Sequence, residues 1–89
     1  MEFEFDPAKS EANQAKHGID FTVAQMLWLR PTVEAPALTT DEPRTIVIGK
    51  ISDKHWTAVV TQRGRKTRII SVRRSRDKER KLYEQQVKD

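Results

Sequence analysis

The sequence predicts a small α+β domain with element order β-α-α-β-β-β-α, a mainly antiparallel four-stranded sheet and helices packed on one face of it. Three observations predict this. The chain of 89 residues has room for one domain. Its apolar residues fall in runs that alternate or follow helical spacing, which disfavours disorder. Its last three strand-like runs are joined by turns too short for a crossover, so they pair antiparallel.

Phe3 and Phe5 alternate with Glu2, Glu4 and Asp6, the period of a short half-buried strand. Asp6-Pro7 then opens a helix, with Asp as N-cap and Pro at the first helical position. Lys16-His17-Gly18 closes it: cations face the negative end of the dipole, and Gly takes the left-handed cap. On this helix Ala8, Ala12 and Ala15 form the stripe expected to pack, while Lys9, Asn13 and Lys16 share a polar face ending beside His17. Asp20 caps a second short helix carrying Phe21, Ala24, Leu27 and Trp28, and Pro31 ends it. Residues 31–43 hold three prolines and read as a loop with at most one short extended piece.

Three strands follow, Arg44–Ile51, His55–Gln62 and Thr67–Arg73, separated by turns at Ser52-Asp53-Lys54 and Arg63-Gly64-Arg65-Lys66. Ile69-Ile70-Ser71-Val72 marks the third as central and covered on both faces. Simple alternation sends Arg68, Ile70, Val72 and Arg74 to one face and Thr67, Ile69, Ser71 and Arg73 to the other. Ser75 is the expected cap of a last helix from Arg76 to Val87, with Leu82, Tyr83 and Val87 as its few apolar residues.

Composition narrows the function. Hydrophobic residues are 36% and charged residues 34%, so part of the surface suits cover by a partner. With no cysteine, disulfides, thiolate metal sites and a Cys nucleophile are excluded. His17 and His55 alone cannot build a zinc site. No apolar run approaches a membrane span and MEFEFD lacks signal-peptide character, so a cytoplasmic protein without membrane contact is expected.

Net charge is +4, but residues 63–81 carry ten Lys/Arg, seven of them Arg, against two acids. Such focusing draws polyanions, and Arg suits bidentate phosphate contact and base stacking. Glu79, Arg80 and Tyr83 lie within one turn of the last helix. Guanidinium groups beside a Glu, Lys or Tyr provide charge stabilisation and proton transfer for phosphodiester chemistry, and RNA supplies its own 2′-hydroxyl nucleophile. Each residue also has a structural reading: Glu79 as dipole partner, Tyr83 as core, His17 as C-cap helper, His55 and Trp56 as packing at a strand start, and Lys9 and Lys16 as surface lysines.

Two stretches carry a resemblance: Asp6-Pro7-x-Lys9-x3-Asn13-x2-Lys16-His17-Gly18-Ile19-x-Phe21-x2-Ala24, and Arg68-Ile69-Ile70-Ser71-Val72-Arg73-Arg74 with Glu79-Arg80-x2-Tyr83-Glu84. Together they resemble the BrnT family of bacterial toxins over nearly the whole chain, least so at residues 31–43. The resemblance implies a single toxin domain over residues 1–89 with a RelE-like fold. It implies a ribonuclease that needs no metal or other cofactor and halts translation. It also implies a BrnA-type antitoxin with a ribbon-helix-helix domain, through which an oligomeric toxin–antitoxin complex meets operator DNA. The catalytic set so expected is Lys16, His17, Arg73, Glu79, Arg80 and Tyr83, with Lys9, Arg63, Arg65, Lys66, Arg68 and Arg74 as RNA-binding residues. Two other readings of the same residues stay open: a nucleic-acid-binding or regulatory protein without catalysis, and a purely structural partner of an acidic subunit.

Overall fold

The computed structural model describes residues 1–37 and 42–88. Its elements are β1 (Glu2–Glu4), α1 (Pro7–His17), α2 (Phe21–Ala24) continued by a 3₁₀ helix (Gln25–Leu29), β2 (Val33–Pro36), β3 (Thr45–Ile51), β4 (Lys54–Arg63), β5 (Lys66–Arg74) and α3 (Asp77–Gln86). The α+β class holds, but the sheet is five-stranded and mixed, in the order β1-β5-β4-β3-β2. The fifth strand comes from the proline-rich stretch. Val33 faces inward and pairs with Ile48, and Pro36 sits where an edge strand tolerates it. The centre of that stretch, residues 38–41, lies outside the described residues. β1 adds to β5 in parallel, because α1, α2 and three strands intervene before the chain returns beside it.

Helices cover both faces of the sheet rather than one. Val47 and Ile48 are neighbours in β3, so they point to opposite faces, and both are fully buried. Val47 joins Trp56, Ala58, Val60, Ile69 and Val72 beneath Ile19, Phe21, Ala24 and Leu27. Ile48 joins Val33 and Tyr83, so α3 seals the other face. Gly49 permits the first contact, since a Cβ there would stand 3.0 Å from Leu27 Cδ2 and 3.3 Å from Thr32 Cγ2.

Two local expectations are corrected. The buried residues of α1 are Ser10 and Asn13, not Ala8, Ala12 and Ala15, which are exposed. Asn13 works as a clamp rather than as part of a polar outer face. β1 pairs with β5 only as far as Arg68, and beyond it Asn13 Oδ1 accepts from Val72 N–H (3.2 Å) while Nδ2 donates to Val72 O (2.9 Å) and Ile19 O (2.8 Å). One amide thus does the work of a sixth strand at that point. The second correction concerns β5. Val59 pairs with Ser71 and Val60 with Ile69, so Ile70 is an extra residue in a bulge. The alternation slips by one there. Arg73 opposes Thr57 on the α3 face together with Arg68, while Arg74 lies with Trp56 on the other face.

Candidate active site

The C-terminal end of β5 turns through Ser75-Arg76 into α3, and the densest polar network forms at that junction. Glu79 stands at the third position of α3, where its Oε1 accepts from the Arg76 N–H (2.8 Å), one half of a capping box. Arg76 occupies the cap position. Ser75 Oγ is instead 2.8 Å from Thr57 Oγ1. Arg73 meets Glu79 bidentately, Nη1 to Oε1 and Nη2 to Oε2, each at 2.8 Å. Thr57 Oγ1 donates to Glu79 Oε1 at 3.0 Å. The Arg73 hydrogen bonds, aided by the Arg76 and Thr57 donors, outweigh burial and lower the Glu79 pKa to about 2. The same pairing raises that of Arg73. At neutral pH Glu79 is therefore an anion, neither a proton donor nor a strong base. It fixes the Arg73 guanidinium in place.

Next to this clamp a shallow hollow opens on the outer face of α3, lined by His55, Asp77, Arg80, Lys81, Glu84 and Gln85. Positions 77, 80, 81 and 84 share one helix face at i, i+3, i+4 and i+7. Arg80 pairs with Asp77 across one turn, both exposed. His55 enters from the start of β4, with Nε2 2.6 Å from Glu84 Oε1. Its ring meets Tyr83 edge-on, with centroids 5.3 Å apart. Tyr83 itself is 1% exposed, and its hydroxyl donates to the Pro31 carbonyl at 3.4 Å.

The expected residues therefore divide. Arg73, Glu79 and Arg80 come together at the β5–α3 junction, with Tyr83 buried behind the hollow. Asn13 sets the C-terminal half of α1 beside the C-terminal half of β5, so Lys16 and His17 follow within one turn of that anchor. His17 falls at i+7 from Ser10, on the helix side facing the sheet, and is half-buried, whereas Lys9 and Lys16 are exposed. No hydrogen bond or ion pair among the described residues joins these α1 side chains to Arg73 or Glu79.

Arg63, Arg65 and Lys66 sit at the β4–β5 hairpin, eight strand residues from Arg74, roughly 26 Å away at the usual rise. The basic segment, continuous in sequence, is thus split into two clusters in space. Much of it is also matched internally: Arg68 pairs with Glu4 at 2.7 Å, Arg63 with Glu42 at 3.8 Å, and Arg74 lies 5.5 Å from the centre of the Trp56 ring. Residues not singled out as site members from sequence, Thr57, Ser75, His55 and Glu84, complete the junction. Their only sequence signal was a histidine and polar β-strand residues, with a helix of mixed charge further on, and 29 positions separate His55 from Glu84.

Among the described residues no three His, Asp or Glu side chains converge as a metal cluster, and no helix is long and apolar enough to cross a membrane. A family model described as the ribonuclease toxin, BrnT, of type II toxin–antitoxin systems matches residues 5–79. The match spans α1 through Glu79 and stops short of Arg80, Tyr83 and Glu84. No curated protein matches the chain. With five-sixths of its length inside that match, the chain belongs to the BrnT family of ribonuclease toxins of type II toxin–antitoxin systems.

Proposed function

We propose that the protein cleaves RNA without a metal ion, using the substrate's 2′-hydroxyl as nucleophile, and so halts translation and growth until an antitoxin covers it. The family supplies the coarser part: a ribonuclease toxin has RNA as its target and an antitoxin protein as its partner. The observation that carries the finer part is the Arg73–Glu79 clamp. A guanidinium held at two points, on a side chain 24% exposed, is a preorganised stabiliser for the charge that builds on equatorial phosphate oxygens. Arg80 and Lys81 extend that positive edge along the hollow. The exposed Arg80–Asp77 pair is worth little in water, and Asp77 can be exchanged for phosphate. Lys16 and His17 approach the same end of β5 from α1 and take the flanking backbone in this reading. Lys9, Arg68 and Arg74 extend the track, and the hairpin residues Arg63, Arg65 and Lys66 hold RNA at a distance. Tyr83 acts through His55 rather than on RNA itself, since it is buried.

The exposed Val23 of α2 and Met26 and Leu29 of its 3₁₀ continuation fit a chain whose partner covers part of it. A BrnA-type antitoxin with a ribbon-helix-helix domain is the partner this reading expects, with operator DNA touched only through it. Purified protein incubated with RNA in excess EDTA is expected to cut it. Activity that appears only on adding a divalent cation would sink the metal-free mechanism.

A further inference from the structure

The Arg73–Glu79 clamp stabilises charge but leaves the proton of the 2′-hydroxyl without an acceptor, because Glu79 is too acidic to hold it. We infer that His55 is that acceptor, with Glu84 as its positioning residue, and that the hollow on the outer face of α3 receives the scissile phosphate. This rests on the ribonuclease reading above and adds to it the group that moves the proton.

Three features of the geometry support the assignment. His55 Nε2 and Glu84 Oε1 are 2.6 Å apart, and a carboxylate there makes Nε2 the protonated nitrogen and leaves Nδ1 as a proton acceptor. Nδ1 has no hydrogen-bond partner among the described residues, and the His55 side chain is 15% exposed where it lines the hollow. The imidazole is held in one orientation, by Glu84 on one side and the edge of buried Tyr83 on another. A side chain serving only to fill space needs neither a fixed tautomer nor an accessible second nitrogen. The charged groups around it come from two elements: Glu84, Asp77, Arg80 and Lys81 of α3, which line the hollow with it, and Lys50, its cross-strand partner on β3.

The step balances without a further reactant. The 2′-oxygen forms a bond to phosphorus as its proton passes to His55 Nδ1. The bond from phosphorus to the 5′-oxygen breaks, and that oxygen leaves with a proton taken from water. A 2′,3′-cyclic phosphate remains, and the imidazolium returns its proton to solvent. Arg80 and Lys81 lie where the non-bridging oxygens would rest.

The test compares RNA cleavage by the intact protein with that of His55→Gln, Glu84→Gln and Glu84→Asp, across pH 5 to 9. Glu84 is 55% exposed, so its variants report on the histidine without disturbing the core. His55→Gln is expected to lower kcat by about 10²- to 10⁴-fold with KM little changed, and to alter the pH dependence of the rate. Glu84→Gln is expected to lower kcat by about tenfold and Glu84→Asp to restore part of it. Cleavage by His55→Gln with the native rate and pH profile overturns the dyad while leaving the ribonuclease reading intact. A native protein that binds RNA but never cuts it overturns both. Should His55→Gln fail to fold, an unaltered profile in folded Glu84→Gln overturns the positioning role and with it the fixed tautomer on which the assignment stands.

Discussion

Glu79 is held by four donated hydrogen bonds, two from Arg73 and one each from Thr57 and the Arg76 backbone. Its folded pKa of about 2 lies below the ordinary carboxylate value of 4.5. A depressed carboxylate stabilises the fold wherever it is ionised, so its contribution is full above about pH 4.5 and is lost as pH falls toward 2. Glu79→Gln is therefore expected to unfold more easily than the native chain at pH 7, with the difference shrinking steadily between pH 4.5 and 2; acid titration followed by circular dichroism measures it. A constant gap across that range would mean that the ion pair is not its source. For catalysis, Arg73→Ala is expected to lower kcat by about 10²- to 10³-fold with RNA binding weakened far less, measured as kcat against Kd. At this scale the sequence was legible in part. The grouping of Arg73, Glu79 and Arg80 could be read because Glu79 lies only six positions after Arg73. Glu79's pairing with Arg73 rather than with Arg80 could not, because it depends on how the Ser75-Arg76 turn aims α3. His55 and Glu84 meet only through tertiary packing, and no local pattern announces that.

The elements themselves were largely legible where caps and turns carry mechanism. Asp6 caps α1 by accepting from Ala8 N–H at 2.9 Å, Gly18 takes the left-handed position with φ 80°, and Asp20 accepts from Val23 N–H at 2.8 Å. The errors came from periodicity read too simply. Small residues on α1 suggested a packed alanine stripe, but a buried Asn that satisfies an open strand edge outweighs three methyl groups there. An unbroken Ile-Ile-Ser-Val run hid the bulge at Ile70, since a bulge changes register without changing composition. Asn13→Ala would leave the Val72 N–H and the Val72 and Ile19 carbonyls without that partner. At about 1–3 kcal/mol per buried group left unsatisfied, partly relieved by water, a loss of about 2–4 kcal/mol is expected from chemical denaturation. Hydrogen exchange at the Val72 amide should accelerate in the same variant. Unchanged stability would mean that β1 or water replaces the clamp.

For the whole molecule, charge and fold divide the labour. A molecule of 33 × 26 × 24 Å carries most cations of its basic segment towards the two ends of the β4–β5 ribbon. One end holds the clamp and the hollow. The other is the Arg63–Lys66 hairpin, about four extended nucleotides away if each spans roughly 6–7 Å, near the usual strand rise of two residues. Sequence showed that the chain is basic in its last third, but folding that third into a hairpin and a helix split the charge and tied several guanidinium groups to Glu4, Glu42, Asp77 and Glu79. The central claim is that this arrangement drives the 2′-hydroxyl onto the adjacent phosphate. The most direct measurement is the chemistry of the fragment ends after cleavage in EDTA. The account predicts a 2′,3′-cyclic phosphate on one fragment and a 5′-hydroxyl on the next, with no cut where a single 2′-deoxy nucleotide replaces the one 5′ of the break. Fragments ending in a 3′-hydroxyl and a 5′-phosphate would contradict it.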